Sequence, residues 1–112
     1  MRLLPLLALL LAQASSPEPG EVVVKVTAER FFFTPSRIVL TRGVPVVLEL
    51  ESKDRTHGFS VTGLKIREEI KPGETTRVHL VPEKVGSFPF RCDIFCGKGH
   101  EDMEGEIVVV DQ

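Results

Sequence analysis

Apolar residues in this chain recur with a period of two, in short runs separated by turn signals. Glu21–Ala28 is rich in Val and predicts a first strand. Phe31-Phe32-Phe33 leads into a turn at Thr34-Pro35, and Ser36–Thr41 predicts a second strand, stopped by Arg42-Gly43. In Val44–Leu50 the residues Val44, Val46, Leu48 and Leu50 share one face, which marks a half-buried strand. Pro45 confines the start of that strand to an edge or to its first positions. Glu51–Thr56 is a charged loop. In His57–Thr62, Phe59 and Val61 alternate against Gly58 and Ser60, and another strand is predicted. After the Pro72-Gly73 turn, Thr75–Val81 sets Val78 and Leu80 against Arg77 and His79. Ser87–Cys92 and Ile107–Val110 complete the pattern, and no segment keeps a helical period over three turns. Roughly eight short strands joined by turns predict an all-β, Greek-key β-sandwich.

The first twenty residues break this pattern. Arg2 precedes an almost wholly apolar run from Leu3 to Leu11, and Ala12-Gln13-Ala14 places small residues where a signal peptidase reads. This predicts a signal peptide over 1–14. The apolar run is too short for a bilayer, which takes ~20 residues. A Pro/Ser/Gly linker over 15–20 follows, then one domain over 21–112. The mature chain is expected to be periplasmic or otherwise extracytoplasmic, with no membrane span.

Composition narrows the function classes. Of 112 residues, 27% are charged, and the formal charge is only -2. Neither sign dominates, so no nucleic acid partner is expected. A domain of this size cannot hold both a working core and a large catalytic cavity. No nucleophile–base pair stands out, and an enzyme is not predicted.

The chemistry concentrates in Cys92–Met103, where two thiols, an imidazole and a thioether fall within twelve residues. In an oxidising compartment two cysteines would ordinarily suggest a disulfide. Soft sulfur donors with imidazole instead suit copper, and a Cys/His set with a weak Met is a copper electron-transfer pattern. A structural zinc site seldom uses Met, so Met103 argues against zinc. Gly97 and Gly99 let the backbone between Cys96 and His100 turn tightly. A second His is expected from a neighbouring strand. His57, at a strand start after a loop, is the candidate; His79, in mid-strand beside Arg77, is the rival.

The order Cys-x3-Cys-x3-His-x2-Met, preceded by the strand His57-Gly58-Phe59, resembles the binuclear CuA site of cytochrome c oxidase subunit II and nitrous oxide reductase, within the cupredoxin fold. The resemblance runs from Val22 to Val110. It implies two copper ions per chain, bridged by the thiolates of Cys92 and Cys96. His57 and His100 would each bind one copper, Met103 would be a weak ligand to one, and the carbonyl of Ile94 a weak ligand to the other. Two shared thiolates spread one electron over both metals, a design for outer-sphere electron transfer. Ligation needs deprotonated thiols, so occupancy is expected to fall in acid. The chain has Ile94 where subunit II commonly has Glu, and it has no Trp or Tyr for an aromatic patch. A stand-alone soluble carrier is therefore expected.

An electron-transfer protein would exchange electrons with a redox protein such as a c-type cytochrome or a terminal oxidase or reductase. Asp93, Glu101, Asp102, Glu104 and Glu106 would either face a basic cytochrome or form a solvated rim. Phe88, Phe90 and Phe95 flank the motif; most Phe in such strands are expected in the core, and Phe95 would instead help keep water from the metal. Three other roles compete: a mononuclear cupredoxin using Cys96, His57, His100 and Met103; copper delivery or buffering during oxidase assembly; and thiol–disulfide exchange. The last usually sits at a helix N-terminus in a βαβ fold, and no such helix is predicted.

Overall fold

Nine strands form among the residues that the computed structural model describes, 20–111. The predicted leader, and all of the linker except Gly20, lie outside them. No helix among the described residues is long and apolar enough to cross a membrane. The strands are β1 (Val22–Glu29), β2 (Phe32–Thr34), β3 (Arg37–Thr41), β4 (Val46–Ser52), β5 (His57–Val61), β6 (Ile66–Ile70), β7 (Thr76–Leu80), β8 (Gly86–Arg91) and β9 (Glu104–Val110). One sheet has the order β2-β1-β4-β7 and the other β3-β9-β8-β5-β6. The chain passes between them at Thr34-Pro35-Ser36, where the sequence predicts a turn. β1 runs parallel to β4, and β3 runs parallel to β9. Parallel neighbours cannot be joined by a hairpin, so the chain must cross over.

The two inner faces make one core. Val26 and Ala28 of β1, Leu48 and Leu50 of β4, Phe59 and Val61 of β5, and Ile107 and Val109 of β9 are all buried. Phe33 from the first sheet packs edge-on against Phe59 and Phe90 of the second, with ring centroids 6.0 and 5.1 Å away. Each such ring contributes about 1.5–3 kcal/mol through burial, and edge-to-face pairs add about 0.5–1.5 kcal/mol.

Two strands escape the hydrophobic pattern. β6 carries Arg67-Glu68-Glu69 between two Ile residues, and its pattern is hidden by charge. It is an edge strand, where charged side chains discourage pairing with another chain. β2 is only three residues long, inside what reads as a lead-in to a turn. β4 follows Pro45 directly and lies inside its sheet, and Val47 is buried along with Val46 and Leu48. Its first turn of pleat is therefore covered on both faces, where the sequence predicts one.

Candidate metal centre

Three connections meet at one end of the sandwich: β1–β2, β4–β5 and the long β8–β9 loop. The Arg30 N–H donates to Asp54 across the first two, at 2.9 Å. Phe31 lies against Gly97 and Gly99 of the third. This gathering creates the site.

His57, the first residue of β5, has no exposed surface. Its Nε2 lies 2.7 Å from Asp54 Oδ1. Burial alone would raise the pKa of Asp54. Hydrogen bonds from the Arg30 N–H, the His57 ring and the Arg55 N–H outweigh it and hold the carboxyl at about 2. Asp54 is thus anionic and accepts from Nε2–H, which leaves the Nδ1 lone pair of His57 facing the cysteines. Nδ1 is 3.9 Å from Cys92 Sγ.

Cys92 ends the run of β8. Its N–H donates to the Met103 carbonyl at 3.1 Å, which ties the two ends of the loop together. Its Sγ accepts from the Gly58 N–H at 3.3 Å and lies 3.2 Å from the Ile94 carbonyl oxygen. Cys96 Sγ stands 4.0 Å from Cys92 Sγ, and both cysteines are free. On its other side Cys96 Sγ is 3.7 Å from His100 Nδ1 and 3.9 Å from Met103 Sδ. All six sequence-predicted donors, His57, Cys92, the Ile94 carbonyl, Cys96, His100 and Met103, are thereby brought together.

The spacing suits a metal. Ligands held about 2.0–2.3 Å from a tetrahedral ion stand about 3.3–3.8 Å from one another. The donor atoms of His57, Cys92 and Cys96 lie within 4.8 Å of each other. Cys92, Cys96 and Met103 belong to the buried core, so the site is an extension of the core and excludes water. Burial first, then the neighbouring Cys92, pushes the Cys96 thiol up to about 11. A bound metal must therefore displace that proton at neutral pH.

The loop is shaped by its glycines. Gly97 and Gly99 have φ of 130° and 100°, in the region that a side chain disfavours. Turn hydrogen bonds from the His100, Asp102 and Met103 N–H groups then close a short 3-10 turn over His100–Asp102.

Sequence reasoning missed three supporting residues. Asp54 stands three positions before His57, a spacing that offered a signal. Phe31 was grouped with a turn. Arg67, on the unpredicted β6, donates Nε and Nη2 to the two oxygens of Asp93, both at 2.9 Å. This guanidinium holds the Asp93 carboxyl below its ordinary range, against the opposing effect of burial. The acidic rim is accordingly not all free: Asp93 is held by Arg67, and Glu106 by Arg37 and Ser87.

His79 is absent from the site. It pairs with Val47 near the start of β4, at the opposite end of the sandwich, and its Nδ1 meets Glu21 at 3.1 Å. Of the three Phe residues around the motif, Phe95 stands at the site; it is 70% exposed, with its ring 5.6 Å from that of His100. Phe90 is in the core, and Phe88 packs near Gly63 and Gly86 instead.

The family model of the cupredoxin-like domain matches residues 2–109. The chain belongs to the cupredoxin-like family. Within that family the cupredoxin is 36% identical over 91 residues to cytochrome c oxidase subunit 2 of Thermus thermophilus, a match covering 81% of this chain and 67% of the relative. It is 31% identical over 93 residues to nitrous-oxide reductase of Cupriavidus necator, covering 80% of this chain and 14% of that enzyme. In fold it is similar to the periplasmic domain of cytochrome oxidase subunit II from Bradyrhizobium japonicum, with a TM-score of 0.74 at 18% identity, covering 81% of this chain and 85% of that one. The all-β sandwich and the resemblance read from the cysteine loop are both borne out. The cupredoxin relationship and the buried His57, Cys92 and Cys96 cluster together support copper as the metal.

Proposed function

We propose that this cupredoxin is an exported electron-transfer protein with a binuclear, CuA-type copper centre. The supporting observation is the pairing of donors about two adjacent thiols. Cys92 Sγ has an imidazole at 3.9 Å and a carbonyl oxygen at 3.2 Å, and Cys96 Sγ has an imidazole at 3.7 Å and a thioether at 3.9 Å. One four-coordinate ion leaves donors unused. A pair of ions would use every one, held by the Cys92 and Cys96 thiolates, the His57 and His100 imidazoles, the Met103 thioether and the Ile94 carbonyl. A copper pair bound there supplies a one-electron couple.

The protein's own groups do the rest. Asp54 fixes the His57 ring, the Gly58 N–H stabilises charge on the Cys92 sulfur, and the core keeps water away. Little rearrangement is then needed when the charge of the site changes. Every donor faces a neighbouring donor, so no position is kept open for a substrate, and the chain acts as a carrier rather than a catalyst. Among the five ligating side chains His100 alone is partly exposed, so electrons would leave and enter beside it. The relatives are parts of an oxidase and a reductase. This supports a redox partner, either a c-type cytochrome or a terminal oxidase or reductase. The leader pattern over 1–14, with a similar fold known from a periplasmic domain, supports an extracytoplasmic location.

Copper content, measured with the electron paramagnetic resonance spectrum, tests the reading. Two coppers per chain with one electron shared equally between two copper nuclei is the expected result. One copper per chain, with a spectrum from a single nucleus, replaces it with a mononuclear site.

A further inference from the structure

The two halves of the cysteine loop are held in different ways. From Cys96 to Met103 the loop relies on its own turn hydrogen bonds and on Phe31. At Cys92 it is bound to the scaffold. The Asp93 side chain crosses directly over Gly58: a Cβ on Gly58 would lie 1.9 Å from Asp93 Oδ1 and 3.0 Å from its backbone nitrogen. The same Gly58 donates its N–H to Cys92 Sγ. Arg67 then grips the Asp93 carboxylate with two parallel hydrogen bonds. Arg67 lies in the register of β6 opposite Ser60, which in turn pairs with Arg91 of β8, immediately before Cys92. The contact thus bridges the edge strand to the start of the loop.

We infer that Arg67 and Asp93 are positioning residues that latch the Cys92 half of the metal loop onto β5 and β6, and that Arg67 cancels a carboxylate charge set beside the metal. The fork of two hydrogen bonds fixes the direction of Asp93 as well as its distance. The peptide joining Asp93 to Cys92 then cannot swing away from Gly58, and the Cys92 sulfur is placed before any metal arrives. The pairing also has an electrostatic consequence. Losing a cation beside a metal centre favours its more positive, oxidised state, and losing an anion favours the reduced state, even though Arg67 also meets Glu69 at 3.6 Å.

Two substitutions separate the latch from the charge, and a third separates charge from geometry. The side chains are 45% and 33% exposed, so removing either leaves the core intact. In metal-free protein, Arg67→Gln and Asp93→Asn should each raise amide exchange over residues 92–96 about threefold or more, with β1 and β4 unchanged. In copper-loaded protein, Arg67→Gln should lower the reduction potential and Asp93→Asn should raise it. Arg67→Lys keeps the charge but loses the fork. It should speed exchange while leaving the potential near wild type. Unchanged exchange in Arg67→Gln and Asp93→Asn, or potential shifts of the same sign in both, overturns the inference. The potential measurement rests on the copper reading, whereas the exchange measurement does not. Failure of the protein to load copper would therefore count against the proposed function alone.

Discussion

Two donor atoms of the centre, His57 Nδ1 and Cys92 Sγ, are each prepared by a second residue, Asp54 for the one and Gly58 for the other. His57 shows this most plainly. Its ring is buried, and burial alone leaves the tautomer open. Asp54, charged and 2.7 Å from Nε2, chooses the form whose Nδ1 faces the sulfurs. Asp54→Ala should therefore weaken copper binding about ten- to hundredfold, measured by competition with a copper chelator of known affinity. The fold should persist, because Asp54 lies in a loop outside the core. Cys92 and Cys96 differ in what surrounds them but play equal parts in the proposed centre. Cys92→Ser should reduce the copper content from two to one per chain, because a hydroxyl does not bridge as a thiolate does. Retention of two coppers in that variant would remove the reason for assigning Cys92 a bridging role.

At the scale of elements, the site depends on how closely backbones approach. Strand β5 meets the loop at Gly58, and the loop meets the β1–β2 connection at Gly97 and Gly99. At Gly58 there is no room for a side chain, and at Gly97 and Gly99 a Cβ would stand 3.2 and 3.0 Å from the Phe31 ring, which would have to give way. Gly58→Ala forces a methyl group into the Asp93 carboxylate, and overpacking of this kind costs about 1–3 kcal/mol. For a domain of this size the melting temperature should then fall by about 4 °C or more, and the Asp93–Arg67 contact should open as well. At Gly99 the positive φ adds backbone strain to the crowding by Phe31. Gly99→Ala should disturb the Cys96–Met103 half of the loop first, seen as faster amide exchange at His100 and Met103 than at Cys92.

Across the whole molecule, the metal loop and the hydrophobic core are one body. Phe33, Phe59 and Phe90 join the sheets, and Cys92, Cys96 and Met103 continue the same buried cluster to its end. Copper bound by the folded form but not by the unfolded chain must stabilise the fold by mass action. Loading should raise the melting temperature, and chelation should return it to the metal-free value. The link also runs from core to site: Phe59→Ala removes a central ring at a cost of about 3–5 kcal/mol, and should loosen copper binding although Phe59 is not itself a ligand. The period of two was legible because half-buried strands must alternate, and it disclosed most strands where apolar residues dominate. It did not disclose β6, whose charges suit an exposed edge, or β2, too short to repeat. The four loop ligands were legible because they lie within one short stretch, where local spacing limits what they can bind together. His57 was chosen over His79 on the same pattern, and register puts the two at opposite ends of the sandwich. Asp54, Phe31 and the Arg67–Asp93 latch belong to no local pattern. Residue types and their spacing alone determined the kind of metal and the class of fold, because ligand softness and strand alternation are properties of short segments. Tertiary structure alone decided how the site is held, because hydrogen bonds and packing between distant strands exist only once the sheets have closed.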